Sequence, residues 1–297
     1  MSEPSFTSNL DINTQLQQTR GIVCRQRALK VEAIAESLGL PFEAKNRYTL
    51  SLLPQDKAVA NDPNDPARWQ PTGEQLESLD KLIFAMEESK PWDRLWTACC
   101  GCKNLRKLQM HFTVNKETGD VYLIERDMKL GGCCGCPLQM DLYSMNENKK
   151  VRIGRVKENF VPYFSKCFTN CCSCTYYHDV EKYVGGIDTD DYSFEKAYAL
   201  RTSLCCCGRV NNCCGATCCK NDLVIDILDK NDYVVAHIQK TYAPSEAGGC
   251  AALCRACCEY SSYMLEFPPD SDAHDRMLLI TAMFQVEYHL FESSGDE

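Results

Sequence analysis

Histidine is scarce in this chain, at 5 of 297 residues. His111, His178 and His237 stand singly in apolar stretches with no nucleophile motif beside them, which disfavours a hydrolytic Ser–His–Asp or Cys–His enzyme. Positive charge is short as well: 32 Lys and Arg face 41 Asp and Glu, a net charge of −9, so no nucleic-acid partner is expected. Neither GxGxxG nor GxxxxGK[ST] occurs, and no helix-length pattern alternates with strands; nucleotide-binding α/β folds fall away. Glycine and proline, at 16 and 12, are too few for a collagen-like or low-complexity chain. No Asn-x-Ser/Thr acceptor is present, and the polar opening MSEPSFTSNLDINTQLQQTR has no basic-then-apolar leader. A cytosolic location with reduced thiols is the expectation, with residues 1–19 as a disordered polar tail.

What the chain does have is strand texture and cysteine. Short alternating or β-branched runs recur: LIFAME from Leu82, LQMHFTV from Leu108, VYLIER from Val121, LQMDLY from Leu138, VRIGRV from Val151, LVIDIL from Leu223 and YVVAHIQ from Tyr233. Turn residues join two pairs of them as hairpins, at Lys116 to Asp120 and at Asp229 to Asp232. The pattern predicts an antiparallel meander. Before it, Val31, Ile34, Ala35 and Leu38 fall at helical spacing within Arg27 to Leu38, with Gly39 as a stop. Tyr48 to Leu53 is extended, and residues 54–79, rich in Asp, Asn and Pro, read as an exposed loop insertion.

The one long helical pattern lies at residues 272–292, capped by Ser271 or Asp272 with Asp275 in the first turn. It is apolar on nearly every face, so it needs burial in protein or lipid. Its apolar stretch is shorter than the roughly 20 residues of a span, and Gln285, Glu287 and His289 interrupt it. Burial in protein follows, and a ring of antiparallel strands would enclose it while removing sheet edges.

The 22 cysteines cluster between the strand runs. CCxC appears at Cys99, Cys100 and Cys102, at Cys133, Cys134 and Cys136, and at Cys171, Cys172 and Cys174; further groups lie at 205–207, 213–219 and 250–258. In a meander these collect at barrel rims. Adjacent cysteines are poor chelates for one tetrahedral ion, so zinc is not expected. Acyl thioesters on exposed cysteines suit a domain working at a membrane, and the alternative is unmodified rim or core thiols.

Several short motifs in one order carry a family resemblance. FEAKNRYTL (Phe42 to Leu50), KLIFAMEES (Lys81 to Ser89), GGCCGCPLQMDLY (Gly131 to Tyr143), IGRV from Ile153 and LEFPPDSDAHDRMLLITAMFQVEYHLFE (Leu265 to Glu292) resemble the phospholipid scramblases, which share a barrel with the Tubby-like proteins. The resemblance covers residues 20–297. It implies a mainly β fold: a closed antiparallel barrel of about a dozen strands around the C-terminal helix.

It also implies calcium-responsive, ATP-independent movement of membrane phospholipids at the cytoplasmic face of a membrane, the plasma membrane by the family's habit, with Cys133, Cys134 and Cys136 palmitoylated. The family's calcium segment maps onto Glu259 to Asp270, with Glu259, Ser261 and Asp270 as the oxygen-bearing candidates. The residues themselves make a poor hard-cation loop: Tyr263, Leu265 and Phe267 fall at ligand positions, and Met264 replaces the turn glycine. They read instead as a strand leading into the helix. The other function class is a soluble or lipid-anchored adaptor using the same barrel without scrambling, since a fold does not fix an activity.

Overall fold

The computed structural model describes residues 9–27, 46–88, 107–114, 119–128, 137–146, 149–159, 175–185, 193–203, 222–242 and 261–291. A short helix α1 (Asn9–Gln18) leads into strand β1 (Gly21–Arg27). Strand β2 (Arg47–Leu52), helix α2 (Gly73–Ser78) and strands β3 (Lys81–Glu88), β4 (Leu108–Thr113), β5 (Tyr122–Arg126) and β6 (Gln139–Asn146) follow. Next come β7 (Lys149–Glu158), β8 (Thr175–Tyr183), β9 (Phe194–Ser203), β10 (Leu223–Leu228), β11 (Val234–Tyr242) and β12 (Ser261–Glu266). The chain then enters helix α3 (Ala273–Val286) and ends its described part in a π-helical turn, Glu287–Phe291.

Each strand pairs antiparallel with its sequence neighbours, and β1 pairs with β12, so the 12 strands form one closed barrel. Closure pairs every strand on both sides and leaves no edge to template aggregation. The mainly β fold, the barrel and the enclosed helix are as the sequence predicts. Alternation in the strands points one set of side chains inward: Leu108, Met110 and Phe112 of β4, Met140 and Leu142 of β6, and Ile225 and Ile227 of β10 are all buried. These meet α3, where Met277, Leu278, Leu279, Ile280, Ala282 and Met283 are wholly buried. Phe284 packs edge-on against Tyr48 at 4.9 Å and Phe112 at 6.0 Å.

The helix starts where its cap dictates. Asp272 accepts from the Asp275 backbone N–H at 2.8 Å, and Asp275 returns the bond to the Asp272 N–H at 3.1 Å. Lys182 of β8 adds ion pairs of 2.9 Å to both carboxylates.

Three segments differ from the sequence expectation. Residues 9–18 form α1 and not a disordered tail, because Ile12 and Leu16, one turn apart, are fully buried. The Arg276 guanidinium donates to the carbonyls of Leu16 and Thr19, the latter at 2.8 Å, satisfying the C-terminal end of α1. Arg27, expected to open a helix, closes β1 instead; Val31, Ile34, Ala35 and Leu38 lie outside the described residues. Residues 54–79 fold back over the outer barrel wall. Val59 and Leu76 bury Val23 of β1 and Met264 of β12, and Gln239 of β11 accepts from the Ala60 N–H at 3.0 Å.

Gly154 of β7 permits the close seating of α3. A Cβ there would run into the Glu181 carbonyl and lie 3.0 Å from Leu278 Cδ2. Gly154→Ala is therefore expected to destabilise the fold by about 1–3 kcal/mol in urea unfolding. Gly119→Ala, where a Cβ meets nothing within 4 Å, is expected to change stability by less than about 0.5 kcal/mol.

Candidate functional site

Because every strand pair is antiparallel, alternate connections leave from the same end of the barrel. Strands β1, β3, β5, β7, β9 and β11 end at one rim, hereafter the first rim, where β2, β4, β6, β8, β10 and β12 begin. The connections bracketed there are 28–45, 89–106, 129–136, 160–174, 204–221 and 243–260. Every cysteine except Cys24 falls in the last five of these stretches, and no cysteine falls in a connection of the second rim. Cys133, Cys134 and Cys136, like the other clusters, lie outside the described residues; the strands that bracket them do not. Cys24 is buried in β1, and burial raises its thiol pKa well above the ordinary value, with the Glu287 carboxylate adding to the shift.

The C-terminal turn ends at the same first rim and carries a buried polar cluster inside the barrel. Glu287 accepts from Lys240 of β11 at 2.9 Å and from the Tyr263 hydroxyl of β12. The Lys240 ammonium also sits 3.6 Å from the centre of the Phe291 ring. Tyr288 donates to Glu87 of β3 at 3.0 Å, and the Tyr48 hydroxyl donates to Tyr288 at 3.3 Å. Asn46 supports Glu87 with a bond of 2.6 Å. Arg126, at the end of β5, is 1% exposed and places its guanidinium 5.6 Å from the Tyr288 ring centre.

On the other side of the turn, His289 stands between two partners. Its Nδ1 lies 3.0 Å from His178 Nε2 of β8, and its Nε2 lies 3.7 Å from the Glu158 carboxylate at the end of β7. Glu158 also accepts from the Leu138 N–H at 3.4 Å. Burial raises the Glu158 pKa to about 7. Burial, helped by the Arg126 charge, lowers that of His289 to about 4. His178 is driven well below its ordinary value, first by burial and then by His289. A π-helical turn bearing buried ionisable groups is the kind of local irregularity that gathers at functional sites. The sequence signalled Glu287 and His289 only as residues unsuited to a bilayer, and nothing in it pointed to Lys240, Glu158 or Tyr263 as their partners.

The calcium candidates are not brought together. Ser261 opens β12 at the first rim, whereas Asp270 is exposed in the turn beyond the strand's other end, at the second rim. The extended strand alone separates these ends by about 17 Å, too far for one cation at 2.3–2.6 Å from each oxygen. Glu259 lies outside the described residues. Between them Tyr263 and Leu265 point into the barrel and Ser262 and Met264 outward, as a strand requires and a wrapping loop does not. Among the described residues, no group of 3 or more His, Cys, Asp or Glu side chains could hold a metal ion, and no helix is long and apolar enough to cross a membrane.

Compared with known proteins, the chain matches no family model, no curated protein and no solved structure.

Removing one member of the buried pair leaves the other charge stranded. Lys240→Met is expected to cost about 3–5 kcal/mol in urea unfolding, and adding Glu287→Gln to recover a large part of that loss. Glu158 titrates in the opposite sense to a salt-bridged carboxylate: its folded pKa of about 7 lies above the ordinary 4.5. Its contribution is therefore full below pH 4.5 and is lost as pH rises to 7. The stability of the native chain relative to Glu158→Gln is expected to fall by about 1.4 kcal/mol per pH unit over that window. Denaturant unfolding of both chains at pH 5, 6, 7 and 8 measures it, with no further change above 7.

Proposed function

We propose that this is a phospholipid scramblase-like protein: it binds or moves phospholipids at the cytoplasmic face of a membrane, without ATP, held there by acyl thioesters on its cysteine-bearing connections. The observation that carries the reading is the segregation of those connections to one rim. A single acyl chain gives marginal, reversible membrane binding and two give stable anchoring. Connections that leave from one rim let several chains enter one bilayer together, which connections divided between two rims would not.

The filled interior supports a particular form of the activity. The side chains of α3 occupy the barrel, so lipid is handled on the outer wall or rim and does not pass through the middle. The calcium response implied by the family resemblance has no support in residues 261–270, and the activity proposed here is independent of that segment.

Cys133, Cys134 and Cys136, in the shortest of the cysteine-bearing connections, are the proposed acylation sites. Replacing all three by Ser is expected to reduce the membrane-bound fraction of the full chain in cells several-fold, as hydroxylamine treatment of the native protein does. An unchanged fraction overturns the anchoring. Purified acylated protein in vesicles carrying a fluorescent phospholipid in both leaflets is expected to expose the inner-leaflet pool to a membrane-impermeant quencher. Stable anchoring with no such exposure replaces the scrambling part of the proposal with a lipid-anchored adaptor.

A further inference from the structure

The polar groups around the C-terminal turn divide into two sets. One side is tied by Glu287 to Lys240 and Tyr263 and by Tyr288 to Glu87. The other is tied by the row Glu158, His289, His178. The contact of 3.0 Å between the two imidazoles needs one N–H and one lone pair. Two neutral rings supply that, and so does one charged ring beside one neutral ring. Two charged rings do not, because each facing nitrogen then carries a hydrogen and the two positive charges meet in a buried site. His178 is wholly buried, and among the described residues its Nδ1 has no hydrogen-bond partner to hold the ring once this contact is lost.

We infer that the His178–His289 pair is an acid-operated latch on the C-terminal turn: its hydrogen bond pins Glu287–Phe291 under the first rim, and protonation of both rings frees the turn while α3 stays in the barrel. The groups facing the pair are Glu158 on β7, Tyr176 on β8, whose ring meets His289 edge-on at 5.4 Å, and Arg126 on β5. Glu87 on β3, Lys240 on β11 and Tyr263 on β12 hold the neighbouring residues of the turn, and Cys24 on β1 faces Glu287.

Release stops at the turn for two reasons. A π-helical turn is a rare single-turn irregularity, distinct from the regular α-helix before it. The far end of α3 is locked at the second rim by Lys182 on Asp272 and Asp275 and by Arg276 on α1. What release uncovers is apolar, since Tyr288, Leu290 and Phe291 are all buried in the closed state. The latch stands independently of the lipid reading.

Glu158 tempers the response. On opening, the two rings regain ordinary basicity and each takes up a proton below pH 6.5, while the carboxyl regains ordinary acidity and gives one up above pH 4.5. One proton is then taken up per opening, so the opening equilibrium rises about tenfold per pH unit as pH falls from 6.5 to 4.5.

Hydrogen exchange of the full chain tests this, with peptides covering the turn compared with peptides from the middle of α3 and corrected for the intrinsic pH dependence of exchange. Opening of the turn is expected to rise about tenfold per pH unit in the native chain and about a hundredfold in Glu158→Gln, and to be flat in His178→Gln. Turn and helix opening in step at every pH, a flat native profile, or a native slope in His178→Gln overturns the latch. Imidazole nitrogen resonances of the native protein decide it should the variants not fold. Rings that titrate near pH 6.5 with the turn still protected overturn it; rings that stay neutral until the turn opens support it.

Discussion

A helix with no polar face has to be enclosed, and the rest of this structure follows from enclosing α3. One sheet face would leave part of such a helix in water; a closed wall covers all of it. Closure in turn disposes of the sheet edges, since β1 and β12 pair with each other instead of standing open. The fit is tight enough that β7 gives up a side chain at Gly154, where Leu278 and the Glu181 carbonyl occupy the space a Cβ would need. Interiors packed to crystal density accept few such intrusions.

Enclosure creates a problem at each end of the helix, and the two ends solve it differently. At the second rim the helix begins with a reciprocal Asp272–Asp275 cap and a surface lysine, while Arg276 reaches back to the carbonyls of α1. These are ordinary terminus devices, with the buried Arg276 guanidinium held by carbonyls and the Ser271 hydroxyl. At the first rim the chain instead buries Glu287 with Lys240, and His289 between Glu158 and His178. Buried ionic groups are rarely the cheapest way to close a core, because apolar replacements of the same shape are often as stable or more so. What distinguishes the first rim is that the buried Glu287, Lys240, Glu158 and His178 are gathered with His289 around one turn.

The same asymmetry runs through the connections. An all-antiparallel barrel sorts its connections by parity, so a sequence whose loop cysteines fall only in alternate connections has all of them bracketed by strand ends of one rim. The proposed anchoring at a membrane uses that sorting and would orient the barrel with α1 and the second rim turned away from the bilayer.

How much of this was legible in the sequence depends on which way each strand faces and what it faces. The runs at β4, β5, β6, β7, β10 and β11 show their alternation because their inner faces meet apolar parts of α3. Strands β8 and β9 do not show it: the inward positions of β8 include Tyr176 and His178, both in contact with His289, and the inward Thr202 of β9, opposite Tyr176, is a buried polar residue. Helix α1 was hidden because its buried apolar residues Ile12 and Leu16 sit in an otherwise polar segment, and β1 because its partner β12 is at the other end of the chain. The fold-back of residues 54–79 was hidden for the opposite reason, since Val23 and Met264 look like lipid- or core-facing residues until a non-periodic segment covers them. By itself the sequence determined that the final helix must be enclosed, that antiparallel strands enclose it, and that the cysteines sit between strands, since these depend on local periodicity and turn chemistry. Only the tertiary structure decided that the cysteine-bearing connections share a rim, that Ser261 and Asp270 stand at opposite rims, and that Glu158, His178 and His289 form one row. Each of those depends on strand neighbours and registers far apart in the chain, which no local pattern encodes.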